Sequence, residues 1–155
     1  AAAVLAVGFA LRRPSTLRAG LVPWRLVLLT EGLFLVVAAA DRHGLDTALA
    51  HVTHHGPLLT ELVGAGGANV ANNLPAYLAV QNAVPAGHTT TLLALLIGTN
   101  VGPLLLLSGS LATLLWRERC AARGLRIGAG QFLRTGLLVV PPLLLGCYGA
   151  LLLTR

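Results

Sequence analysis

Two short stretches of this chain set carboxamides and a hydroxyl beside glycine and proline, inside runs of Leu, Ala, Val and Ile. Residues 64–75 read GAGGANVANNLP, with Asn69, Asn72 and Asn73; residues 98–103 read GTNVGP, with Thr99 and Asn100. A continuous helix has no use for that combination. In a bilayer, backbone leaves the helix only where protein or water satisfies the freed N–H and C=O groups, so two such interruptions imply a lined polar cavity at mid-depth. Only 10% of the 155 residues are charged and 55% are hydrophobic, with a mean hydropathy of +0.79. A water-soluble domain carries roughly 25% charged residues. The chain is therefore expected to be an all-α, multi-pass membrane protein.

Charge placement gives the topology. The net charge of +6 comes from eleven Arg against five acids, with no Lys, and in an apolar chain such an excess marks sidedness before it marks nucleic-acid binding. Arg12, Arg13, Arg18 and Arg25 form one cluster, and Arg117, Arg119, Arg123, Arg126 and Arg134 a second. Both are cytoplasmic under the positive-inside rule, so an even number of crossings separates them. Residues 20–40 make one crossing and residues 89–116 another. Residues 57–80 must then return to their own side, as a re-entrant hairpin. Each arm of about ten residues reaches only about half-way through a bilayer at ~1.5 Å per residue. Pro103 opens residues 89–116 into a broken transmembrane helix, and Gly98 and Gly102 relax the chain there. The second half starts near Pro103, with its positive end toward the hairpin tip. A helix merely kinked at Pro103 and ending at Trp116 is the plainer alternative. Residues 135–153 form a last span, kinked by Pro141 and Pro142.

Other features are weaker. The apolar run 1–11 is shorter than the ~20 residues a span needs. It reads as the truncated end of a helix, and the chain as a C-terminal piece of a longer protein. No basic residues precede the run, so it is not a cleavable signal. Glu31 lies inside the first span and Glu61 at the start of the hairpin; a carboxylate at such depth faces a cavity or a partner. His51, His54 and His55 share a helical face without a carboxylate or Cys beside them, so solvated interfacial histidines are expected rather than a metal site. Cys120 and Cys147 form no motif and read as free small residues.

The motifs ANNLPAYLAV, IGTNVGP and GSLATLLW, in that order and spacing, resemble the C-terminal half of the arsenical pump membrane proteins. These are bacterial arsenite efflux permeases of the ion transporter superfamily, and the likeness is clearest over residues 57–153. It implies one half of an inverted-repeat fold, in which hairpin tip and helix break meet at the substrate site and a second, N-terminal repeat supplies the other half. Carried over, the substrate-binding set is Asn69, Asn72, Asn73, Pro75, Thr99, Asn100, Gly102, Pro103 and Ser110. Where relatives carry Thr-Pro this chain has Leu106 and Leu107, which implies a second half less broken here. The resemblance also leaves room for a homodimer and for a cytoplasmic arsenical-pump ATPase docking on the Arg loops.

The implied function is export of arsenite or antimonite across the cell membrane, in exchange for protons, with Glu31 and Glu61 as the coupling candidates. Neutral arsenite is a trihydroxide that wants partners able to donate and accept, as Asn and Thr do. No Arg lies in either interruption, which disfavours a dicarboxylate. Sodium in place of protons, a sodium-coupled carboxylate or sodium/proton transporter, and a non-transporting membrane scaffold are the rival readings. An enzyme, a cofactor and a resident metal are not expected: there is no phosphate-loop Lys, HExxH or GxSxG.

Overall fold

The computed structural model describes Val7 and residues 23–154. The predicted helix end at 1–11, apart from Val7, and Arg12, Arg13 and Arg18 of the first basic cluster fall outside them. The described residues are helical, with no strand: α1 (Trp24–Asp41), α2 (Leu45–His54), α3 (Pro57–Ala71), α4 (Asn73–Asn82), α5 (Thr89–Val101), a 3-10 turn (Gly102–Leu104), α6 (Leu111–Ala121) and α7 (Ala129–Leu153).

Helix lengths sort these elements. The 25 residues of α7 make it, among the described residues, the one helix long and apolar enough to cross a bilayer. Its apolar run continues through Pro141 and Pro142. The 18 residues of α1 extend about 27 Å, close to the ~30 Å of a hydrocarbon core, but include Arg25, Glu31 and Asp41. Neither α3, with 15 residues, nor α4, with 10, reaches across.

The chain folds back between α3 and α4. Pro57 opens α3 at a position where its missing N–H leaves no bond unmade. The reversal comes at Asn72, the one non-glycine residue with positive φ among the described residues (φ 69, ψ 155). At the other end Thr53 Oγ1, ahead of α3, donates to the Ala83 carbonyl that follows α4, at 2.8 Å. The segment thus leaves and returns at one end. Its turn is tighter than expected, since Gly64, Gly66 and Gly67 lie within α3 and do not bracket the reversal.

The core is the crossing of α3 with α5. On α3, Gly64, Ala65 and Ala68 are buried, and on α5 Ala94, Leu95, Gly98 and Thr99. The crossing is close because Gly98 and Gly102 form a GxxxG pair that brings α5 onto α3 backbone. A Cβ on Gly98 would strike the Glu61 carbonyl, and one on Gly102 would strike Ala65. From the other side, a Cβ on Gly64 would meet Leu95 Cδ1 at 2.9 Å and Thr99 Cγ2 at 3.3 Å. Helices α1 and α2 lean on α4, while α7 packs on α5 and the 3-10 turn, where Gly136 admits the Leu104 carbonyl.

Three boundaries differ from the sequence reading. Gly98, Thr99 and Asn100 stay helical, because Gly98 is needed for packing, and the interruption falls at residues 102–110 instead. The second half starts at Leu111 behind an N-cap Ser110, not near Pro103. It also runs past Trp116 to Ala121, so Arg117 and Arg119 lie on a helix. The Leu106–Leu107 pair does not restore the helix: Leu107 is buried in the irregular segment. The surface elsewhere is apolar, with Val70 86%, Leu138 78% and Leu153 88% exposed; such a surface suits lipid or further protein, not water.

Candidate functional site

Four helix ends meet where the α3–α4 turn faces the interruption after α5, and Asn69 ties them. Its Nδ2 donates to its own helix at Ala65 O and across to Gly102 O, each at 2.8 Å. Its Oδ1 accepts from Leu106 N at 3.1 Å. One carboxamide therefore adds a second donor to a carbonyl already held by Leu105 N, and answers the Leu106 amide that the broken helix leaves without a helical partner. Asn72 adds a second tie, Nδ2 to Ser108 O at 3.1 Å. Gly109 fits beneath because it lacks a side chain: a Cβ there would meet Asn69 Oδ1 at 2.9 Å and Pro103 Cα at 2.8 Å.

Around this clasp end the C-termini of α3 at Ala71 and of α5 at Val101, and the N-termini of α4 at Asn73 and of α6 at Leu111. Ser110 Oγ caps α6 by accepting from Ala112 N at 3.2 Å. Two ends with spare N–H groups and two with spare C=O groups offer donors and acceptors together. No charged side chain stands on residues 62–116.

The sequence profile of the arsenical pump membrane protein matches residues 14–153. This chain belongs to that family. It is 30% identical over 165 aligned positions to the arsenical pump membrane protein of Yersinia enterocolitica, covering 97% of this chain and 38% of that protein. Against two such proteins of Escherichia coli it is 28% and, for strain K12, 29% identical over 145 positions, covering 84% of this chain and 34% of each relative. The chain thus spans little more than a third of the length of the curated relatives it matches. No solved structure matches it.

Within this arsenical pump family chain, the residues singled out by sequence fall into three groups. Asn69, Asn72, Gly102, Pro103 and Ser110 come together at the clasp, with Asn73 and Pro75 in the first turn of α4 beside it. Thr99 lies deeper, buried against Gly64, its hydroxyl donating to Leu95 O at 2.9 Å. Asn100 stands apart: two residues along a helix is 200°, so with Gly98 and Gly102 facing α3 it points away. It is exposed, donates to Leu96 O at 2.7 Å, and borders an apolar cleft of about 550 Å³ with Cys147 and Thr154. The acids separate as well. Glu31 is exposed on α1, whereas Glu61 is fully buried where α3 meets α5. The histidines lie on α2 and its C-cap, where His55 Nδ1 is 2.6 Å from His51 O.

Sequence reasoning missed Gly109 and Gly136, and took Gly98 and Gly102 for hinges. For Gly98 and Gly102 the GxxxG spacing was the available signal; Gly109 and Gly136 have no glycine four residues away.

The Asn72 backbone lies in a region that only glycine adopts freely, at a strain of about 1–3 kcal/mol, against about 1 kcal/mol for its tie to Ser108. Asn72→Gly is therefore expected to hold or slightly raise stability, while Asn72→Ala keeps the strain, loses the tie and lowers it by about 1 kcal/mol. Thermal melts of both variants in the full-length protein check the order. An alanine variant melting at or above the glycine variant defeats this account.

Proposed function

We propose that this chain is one inverted-repeat half of a bacterial cell-membrane transporter that exports arsenite or antimonite in exchange for protons. In this reading residues 57–82 are the re-entrant hairpin, and residues 89–121 the broken transmembrane helix. Both arms enter and leave from the outer side, with the Arg-rich end of α6 in the cytoplasm. The observation that carries it is the clasp: Asn69 and Asn72 hold the hairpin turn against the interruption of the broken helix in an otherwise apolar protein, with no charge between them.

A neutral trihydroxide needs such a site. Its three O–H groups donate to carbonyls and accept from amides and hydroxyls, and the absence of Arg disfavours a dicarboxylate. Asn69 has both N–H groups committed to backbone, so it builds the site and leaves contact with the substrate to Asn73, the free Oδ1 of Asn72 and the α4 and α6 N-termini. Asn100, exposed on the far flank of α5, faces the second repeat and completes the path from there. A protein of the relatives' length supplies that repeat.

Arsenite accumulation in an efflux-deficient bacterium carrying the complete reading frame tests this. The wild type should lower cellular arsenic, and Asn73→Ala and Asn100→Ala, at matched membrane expression, should lose about tenfold in efflux rate, the equivalent of ~1.4 kcal/mol. Unchanged arsenic in cells holding folded wild type removes the arsenite reading and makes sodium-dependent carboxylate uptake the next assay. Unchanged efflux in both variants instead removes these two side chains from the path.

A further inference from the structure

We propose that Glu61, and not Glu31, carries the coupling proton, and that its loss of that proton opens the seam between α3 and α7. This rests on the proton-exchange reading above.

Glu61 is 0% exposed, and among the described residues neither carboxyl oxygen has a hydrogen-bond partner. Its backbone is pinned: its carbonyl lies against Gly98, at the crossing that no side chain could enter. It lines a cleft of about 440 Å³ between α3 and α7, walled by Leu62, Leu105, Leu137, Val140 and Leu144. Nothing polar answers the carboxyl from the neighbouring elements. Helix α5 and residues 102–110 have no titratable group, and α3 has no other. Arg134, Cys147 and Tyr148 of α7 stand outside the cleft lining. Tyr77 of α4 and Asp46, His51 and His54 of α2 make no hydrogen bond to it.

An ionised carboxylate so enclosed costs several kcal/mol, and the protonated acid avoids that. The packed arrangement therefore holds the acid, and the anion requires water or a cation in the cleft. The cleft is a side that can give, because α7 is fastened mainly to α5 and the 3-10 turn. A polar cleft of about 390 Å³, bordered by His54, Pro57, His88 and Thr91, opens at the free end of the hairpin, on the side from which the proton arrives in this reading. Pro57 is four residues from Glu61, about 6 Å along α3. The cycle balances. The carboxylate takes one proton from the outer side and releases it inside as one neutral trihydroxide leaves, so one positive charge enters per turnover.

The test uses the complete protein in lipid vesicles, with an imposed pH gradient, arsenite as substrate, and a lumenal pH dye. The wild type should move arsenite and protons in opposite directions, and Glu31→Gln should match it. Glu61→Gln, which copies the protonated acid, should lose gradient-driven flux at least tenfold while arsenite counterflow, which needs no net proton movement, continues. Gradient-driven flux in Glu61→Gln with the wild-type pH dependence overturns the proposal. Should Glu61→Gln fail to reach the membrane, Glu61→Asp decides by a displaced pH profile, and an unmoved profile overturns it. A wild type without arsenite flux sinks the arsenite reading alone. The infrared C=O band of a buried carboxylic acid then decides: it must titrate in wild type and vanish in Glu61→Gln, and its absence from wild type overturns the proposal.

Discussion

Gly98→Ala is expected to remove most of the folded protein from the membrane. The added methyl would sit on the Glu61 carbonyl carbon, at 2.8 Å, and on Ala65 N, at 3.0 Å, with the carbonyl oxygen nearer still. These atoms are backbone on a continuous helix, so no rotamer change relieves the contact. Overpacking in a close-packed core costs typically about 1–3 kcal/mol when side chains can shift, and here α3 and α5 must move apart as whole helices. Separating them also weakens the clasp, because Gly102, which carries the carbonyl that Asn69 holds, lies four residues on and packs against Ala65.

The control is Gly66→Ala, on the same helix pair, where an added methyl meets nothing within 4 Å. There the change should be neutral or gain up to about 1 kcal/mol from helix propensity. Detergent-extracted full-length protein, followed by size-exclusion profile and melting temperature, separates the two. A Gly98→Ala protein as abundant and as heat-stable as Gly66→Ala would show that the α3–α5 contact is looser than described.

How much of this was legible in the sequence depends on the range of each interaction. That the chain breaks twice, and that one break is a hairpin, could be read from Asn, Gly and Pro set in apolar runs. So could membership of a helical membrane family, from ANNLPAYLAV and GSLATLLW. The position of the second break could not, because glycine has two uses that look alike along the chain. In GTNVG it could loosen a helix or admit a neighbour, and only the partner helix, some 35 residues away, decides. Pro103 misled for a related reason: it sits early in a 3-10 turn, where its missing N–H matters little, and the opening follows it. Asn100 was grouped with Asn72 by composition, yet once residues 98–101 are helical its side chain leaves the face that Gly98 and Gly102 define. Glu61 and Glu31 had equal standing as acids in apolar segments. Their difference, one enclosed and one exposed, comes from which helix is central, and no local pattern carries that.

Asn69→Leu is expected to give the second largest loss, and to do so through structure. Leucine keeps the branched shape, though it is bulkier, and leaves Leu106 N unanswered and Gly102 O with Leu105 N alone. An unmade bond at a buried group costs about 1–3 kcal/mol; Leu105 N still answers Gly102 O and the Leu106 tie lies at the exposed edge of the clasp, so a combined loss of roughly 1–3 kcal/mol is expected. Asn69→Asp separates the two halves of the carboxamide. It keeps an oxygen for Leu106 N but turns a second oxygen toward Gly102 O and Ala65 O, where the amide donated at 2.8 Å. Acceptor against acceptor is worse than no bond, and the new charge lies in an otherwise uncharged site. The aspartate variant should therefore melt no higher than the leucine variant, and both well below Asn73→Ala, whose side chain ties no break. The opposite order, with Asn73→Ala the least stable, would move the clasp from Asn69 to Asn73. Wild-type stability in Asn69→Leu would mean that the two tips are held together by the glycine-lined crossing alone.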